Sequence, residues 1–317
     1  MNAAKHVTLH PKTTVNGHTP PTERSFGRLI LYHAIAFLVM TTWGATFAST
    51  KTLILQGMGE TNIFFLRFLG AYALLVLTSH KKWRADSLRD EALLMLAGLT
   101  GGSLYFVAEN YGLHFAQTTD VSFIIAFTPL LTTLFAYMLR IERATITHRF
   151  VTGLAIALVG IGCLIFKGQF TWQASFLGDG LALLAAILWA LYSLIIKPLG
   201  KHYDVVFITR KIFFYGLVTI LPVLFIRPIA DELPLLQRPV VWGNLLFLTV
   251  IASYLCFILW NKVLEVLGPL KSSYYLYINP VSASIVSVLF MDEEKNLYIL
   301  GGLLLILLGV IYSEHKG

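Results

Sequence analysis

Arg67, Glu109, Arg210 and Lys211 are ionisable residues set inside long apolar stretches of the chain. An arginine at the centre of a membrane span costs about 2.5–3.5 kcal/mol on insertion scales, so a charge placed there faces a partner or a wet cavity. Arg67 stands about two turns into its stretch, and Glu109 lies at a similar depth in the next, which runs the other way. Adjacent antiparallel helices can bring the two together. Two readings follow: a structural ion pair, or a charged wall of a solute path with Glu109 as a proton carrier. Lys211 has the reach to snorkel to lipid headgroups. Arg210 mirrors Arg67 in the second half of the chain and is the better candidate for a cavity.

Aromatic residues supply the other half of a binding chemistry. Trp43 and Trp189 fall near the middle of their stretches, away from the ends where interfacial tryptophans sit. Tyr192 follows Trp189 by three residues on the same helical face. Tyr274 and Tyr277 share a face just before Asn279 and Pro280, with Tyr275 between them. Rings with polar tips suit a hydrated cavity for an organic solute, although Tyr274 and Tyr275 also suit an interfacial belt. Pro129 and Pro280 each remove one backbone hydrogen bond and kink a helix, in a static bend or in a rocking element. Gly98–Ser103 contains no GK[ST] and follows no strand, so it is no phosphate loop. No His, Asp and Glu cluster has metal-ligand spacing, and no Ser or Cys nucleophile has an evident base. No catalytic residue, metal or cofactor is expected.

The elements that must position these residues are set by composition. Of 317 residues, 56% are hydrophobic and 13% charged, against about 25% charged in an ordinary soluble domain. Mean hydropathy is +0.72. This excludes a water-soluble enzyme and a disordered chain. The apolar runs are long and unbroken, which excludes a β-barrel. Cys163 and Cys256 both lie in such runs and read as small packing residues rather than a disulfide or metal framework.

The runs fall at 29–50, 61–79, 92–114, 119–139, 150–166, 179–197, 205–226, 240–260, 270–290 and 297–313. Ten spans of about 20 residues use roughly 200 of the chain and leave no room for a soluble catalytic domain. Residues 1–28 read as a flexible cytoplasmic tail. No cleavable signal peptide is expected, because the first run is too long and leads into further spans. With the N-terminus inside, the inner connections hold sixteen Lys and Arg and the outer ones five, which places both termini in the cytoplasm. The net charge of +7 is therefore topology and attraction to anionic lipid, with no nucleic-acid partner.

The chain repeats itself. Asn110, Pro129 and Glu142 recur as Asn261, Pro280 and Glu293 at a spacing of 151, and Gly153 and Gly160 recur as Gly302 and Gly309 at 149. Five spans per unit is an odd number, so the halves 29–166 and 167–317 have opposite orientation. Such inverted repeats place a substrate site at their interface near the midplane.

WGATF at 43–47, FLRF at 65–68, YGLHFAQTTDVSFIIAFTPLLTTL at 111–134 and YINPVSASIVSVLFMDEE at 277–294 resemble, in this order, the EamA-type members of the drug/metabolite transporter superfamily. The resemblance spans roughly residues 29–313. It implies an all-α integral membrane protein with ten transmembrane helices, as two inverted five-helix repeats around a central cavity. Spans 5 and 10 would lie outside that cavity. It also implies a multi-pass protein of the plasma membrane, a bacterial inner membrane, that exports small organic solutes such as amino acids by alternating access. The second half departs from the pattern, since Trp189 is followed by Ala190 rather than glycine. Cavity candidates are Trp43, Arg67, Glu109, Trp189, Tyr192, Arg210, Tyr274, Tyr277 and Asn279. Partners are the solute and the lipid bilayer, with a homodimer possible through spans 5 and 10. A flippase for lipid carriers or lipid-linked sugars is the nearer alternative, and an integral-membrane enzyme the more distant one.

Overall fold

The computed structural model describes residues 23–78, 82–141, 146–166, 175–224, 228–290 and 297–314. The described residues are helical and contain no β-strand. Counted through their internal breaks, they form ten rods. These are α1 (Glu23–Leu55), α2 (Glu60–Thr78), α3 (Leu88–Phe115), α4 (Thr118–Met138), α5 (His148–Phe166), α6 (Ser175–Leu199), α7 (Val205–Leu224), α8 (Pro239–Leu267), α9 (269–290) and α10 (Leu297–Glu314). A short 3-10 helix, Ile229–Gln237, lies between α7 and α8. Seven rods, α1–α4 and α6–α8, are long and apolar enough to cross a membrane. α5 and α10 contribute the shorter apolar helices His148–Gly160 and Leu300–Gly309. Glu142, Glu293 and the tail residues 1–22 lie outside the described residues. α1 begins at Glu23 rather than at the expected Leu29, so the helix outlasts its apolar stretch.

Local chemistry sets the ends. After α1 the chain turns through Gly57 at φ +97°, with its N–H on the Ile54 carbonyl and that of Met58 on Leu53. This is a Schellman stop, which requires a left-handed residue that glycine supplies without a Cβ clash. The Ser87 hydroxyl accepts the Asp90 N–H and caps the start of α3. Pro129 opens the second segment, Thr128–Met138, of a broken α4, where its missing N–H removes no bond. In α9 a 3-10 turn at Tyr274–Tyr277 precedes the segment Ile278–Phe290 that carries Pro280. Both prolines thus stand where a helix restarts.

α3 and α8, the third rods of the two halves, share a second irregularity. Each contains a π-helical segment, Leu99–Ser103 and Phe247–Leu255. A π segment adds a residue to the turn and rotates everything after it. In α3 it precedes Tyr105, Phe106 and Glu109, and in α8 it precedes Phe257.

The glycine pairs read from the sequence meet one another. A Cβ on Gly160 would stand 2.7 Å from the Gly302 carbonyl oxygen, and one on Gly309 would stand 2.5 Å from that of Gly153. This reciprocal contact of antiparallel helices joins α5 to α10 backbone to backbone, as small residues allow in membranes. Gly44 does the same for α1 against α9, where a Cβ would lie 2.6 Å from the Asn279 carbonyl oxygen. The surface is apolar, with Leu77, Val159, Val218, Leu221 and Leu308 exposed, while Arg67, Glu109, Asp120 and Asp179 are buried. That is the reverse of a water-soluble fold and suits a lipid solvent.

Candidate functional site

Six rods converge on a central chamber. α1 contributes Trp43, Thr46 and Phe47, α2 Arg67, and α3 Tyr105, Phe106 and Glu109. Trp189 comes from α6, Phe257 from α8, and Leu276 and Asn279 from α9. Positions 43, 46 and 47 are neighbours on one helical face, as are 105 and 109. Gly44 lets α1 press onto α9, which brings Trp43 and Asn279 to the same space. The tryptophans form an edge-to-face pair, with ring centroids 5.3 Å apart at 89°. Phe257 stands 5.3 Å from Trp43, and Tyr105 4.9 Å from Trp189.

The charged pair is arranged across this aromatic box. Arg67 Nε donates to Ser253 Oγ at 2.9 Å, and its guanidinium lies 4.5 Å from the Phe106 ring centroid. Glu109 accepts the Tyr105 hydroxyl and acts on Arg67 through its charge. Arg67 is 1% exposed and Glu109 3%. Several polar atoms on the lining have no hydrogen-bond partner: Arg67 Nη1, Trp189 Nε1 and Asn279 Oδ1. A buried polar atom without a partner costs about 1–3 kcal/mol, more when charged, so these three are positions that a ligand or water can satisfy. The free volume is about 20 Å³, close to the room for one water. The helices must separate before an organic solute fits.

Polar contacts hold both sides of the chamber. Toward the turn between α1 and α2, Lys51 donates to the Leu113 and Ala116 carbonyls at the end of α3, and His114 meets the Glu60 carboxylate. Asn110 donates to the Glu60 carbonyl at 2.8 Å, and Glu232 of the 3-10 helix accepts the Gly59 N–H at 2.9 Å. On the opposite side Tyr192 donates to Asn261, which donates to Thr209 at 2.9 Å. The repeat-related Asn110 and Asn261 therefore perform the same task at the two ends, each tying its helix to the start of a neighbour.

Of the residues singled out in the sequence, Trp43, Arg67, Glu109, Trp189 and Asn279 come together on the chamber wall. Tyr192 stands behind the wall, fully buried, with its ring 5.0 Å from Trp189 and seated on Gly101. Tyr274 is 37% exposed, and Tyr277 is part-buried on the same 3-10 turn. Arg210 lies elsewhere, in a second cavity with Lys211. Lys211 is not extended into solvent but pairs with Glu91 and is 7% exposed. Sequence reasoning missed Thr46, Phe47, Tyr105, Phe106, Phe257, Leu276 and the Ser253 contact. Helical spacing from Trp43 and Glu109 marks the α1 and α3 residues, but the residue added by the π segment of α8 hides Phe257. Among the described residues no group of three or more His, Cys, Asp or Glu could hold a metal.

The chain is 23% identical to an uncharacterized transporter of Archaeoglobus fulgidus, covering 90% of this chain and 97% of the other. It is 26% identical to a probable terminal-alkyne amino-acid exporter of Streptantibioticus cattleyicolor, over 86% of this chain and 91% of that one. A crystal structure with 18% sequence identity shares the fold at a TM-score of 0.58, covering 91% and 96% of the two chains. The model of the EamA-like transporter family matches twice, over residues 30–166 and 176–313. These two matches follow the two halves whose glycines and π segments correspond, and on them the chain belongs to the EamA-like transporter family.

Proposed function

We propose that the chain exports small zwitterionic solutes, amino acids or related metabolites, by alternating access around the central chamber. The observation that carries this is Arg67 and Glu109, with their open polar neighbours, on one aromatic-walled space. A carboxylate fits Arg67 Nη1 and the Trp189 N–H, and an ammonium group fits Glu109 and the Asn279 side-chain oxygen Oδ1. Trp43, Phe47, Tyr105, Phe106 and Phe257 leave an apolar and aromatic surface for the side chain between these ends. Outward direction is supported by the family resemblance and by the exporter to which the chain is 26% identical.

The narrow volume and the polar ties at both ends support reading this arrangement as an occluded stage of the cycle. The Asn110 ties and the Asn261 ties are the repeat-related gates, and each opens while the other holds. Both termini lie in the cytoplasm of a bacterial inner membrane on this reading, so Asn261 guards the cytoplasmic side. The test is solute counterflow in proteoliposomes. Unlabelled zwitterionic amino acids are expected to drive uptake of labelled solute, and Arg67→Ala and Glu109→Gln to abolish it. Counterflow that persists in both variants removes the reading.

A further inference from the structure

A second cavity of about 650 Å³ opens between α2 and α7, beside the connection that leads into α3. That size is within the range of small-molecule sites, about 300–1,000 Å³. Tyr72, Trp83, Arg84, Arg210, Lys211 and Phe214 stand on its wall. It shares no lining residue with the central chamber.

Three features define what it takes. The first is charge. The wall carries three cations, Arg84, Arg210 and Lys211, against two carboxylates, Asp86 and Glu91. Asp86 is bonded by Lys82 at 2.7 Å, and Glu91 is held by Lys211 and the Tyr215 hydroxyl. With Lys82 included, cations exceed carboxylates four to two. The Arg210 guanidinium is fixed in place, 4.6 Å from the Trp83 ring centroid and 5.7 Å from that of Phe207.

The second feature is the apolar stripe that continues from the cavity. Phe214, Val218 and Leu221 follow one another on a single face of α7, exposed by 37%, 44% and 46%. Leu77 at the end of α2 is 76% exposed, and the Trp83 indole is 53% exposed beside the charges, as interfacial tryptophans are. A charged pocket continuous with a lipid-facing stripe matches an amphiphile better than a free solute.

The third feature is separation from the transport route. Phe68 and Phe213 are stacked 4.0 Å apart at 15°, both fully buried, and each touches Phe257 of the chamber wall. Neither ring is on the wall of either space, and the two spaces share no lining residue, so an occupant of the cavity is resident rather than cargo.

We infer that this cavity holds the headgroup of one anionic phospholipid from the adjoining leaflet. The phosphate sits by Arg84 and Arg210, and an acyl chain lies along Phe214, Val218 and Leu221. Basic pockets between membrane helices bind such headgroups through charge at low dielectric.

The experiment uses the full-length protein in lipid-free detergent and native mass spectrometry. Phosphatidylglycerol, phosphatidylcholine, glycerol 3-phosphate and inorganic phosphate are added in turn. One phosphatidylglycerol is expected to be retained, with phosphatidylcholine retained about tenfold less, the effect of roughly one charge-assisted bond. Arg84→Gln, an exposed change that spares the fold, is expected to lower retention by a similar factor. Arg89→Gln, which is off the cavity wall, should leave retention intact. The melting temperature should rise with phosphatidylglycerol in the parent chain and not in Arg84→Gln. Equal retention of both lipids overturns the inference, and so does equal loss in the two arginine variants, which would mean diffuse attraction. If either soluble phosphate binds as strongly as the lipid, the cavity is a soluble-anion site and the lipid assignment fails.

Discussion

Arg67 joins three kinds of contact in one side chain: a hydrogen bond to Ser253, the face of Phe106, and the charge of Glu109. The two charges act on each other without a direct ion-pair contact, so a solute can bridge them once the helices separate. Removing one buried partner strands the other at a cost of about 3–5 kcal/mol. Arg67→Ala is therefore expected to reduce flux in proteoliposomes by about a hundredfold. Arg67→Lys keeps the charge but loses the planar fork, so partial recovery in a flux assay would show that charge alone carries part of the binding. Glu109 is the carboxylate among the residues on the chamber wall. Glu109→Gln should flatten the pH dependence of transport, with flux followed across a pH series, and an unchanged profile would remove Glu109 from proton coupling. The pair was legible because charge in an apolar run is costly wherever it falls. Ser253 and Phe257 were not legible, because the π segment in α8 shifts which residues face inward and its sequence, FLTVIASYL, carries no glycine or proline to announce it.

The glycine contacts between α5 and α10 make a sharp expectation at the scale of elements. Each Cβ would meet backbone atoms, which cannot rotate away. Gly160→Leu and Gly309→Leu should each destabilise the protein by about 1–3 kcal/mol, the range for overpacking, read as a lower melting temperature in detergent. Solute preference should be unchanged, since neither residue borders the chamber. A shifted preference in a protein that still melts normally would contradict this separation of roles. Periodicity in the sequence disclosed these glycines because the same positions recur in both halves and meet across the repeat. The helix breaks at Pro129 and Pro280 were readable as special points but not as restarts, because proline sets φ without saying whether the chain continues through it.

For the whole molecule, the distribution of Lys and Arg along the sequence makes orientation a prediction that labelling can test. Asp86 and Asp231 are exposed at the two ends, in the α2–α3 connection and in the 3-10 helix before α8. In a chain lacking Cys163 and Cys256, Asp231→Cys should react with a membrane-impermeant thiol reagent applied outside intact cells, and Asp86→Cys only after permeabilisation. The reverse pattern would turn the protein over. The substrate was less legible than the fold, because a solute is chosen by atoms that six separate rods bring together and no contiguous stretch records their meeting. The most direct test of the central claim is counterflow with one amino acid presented in three forms: zwitterion, methyl ester and N-acetyl derivative. The account predicts that the zwitterion drives exchange, that the ester fails for want of a carboxylate at Arg67, and that the acetylated form fails for want of an ammonium group at Glu109. Equal exchange by all three forms would contradict it.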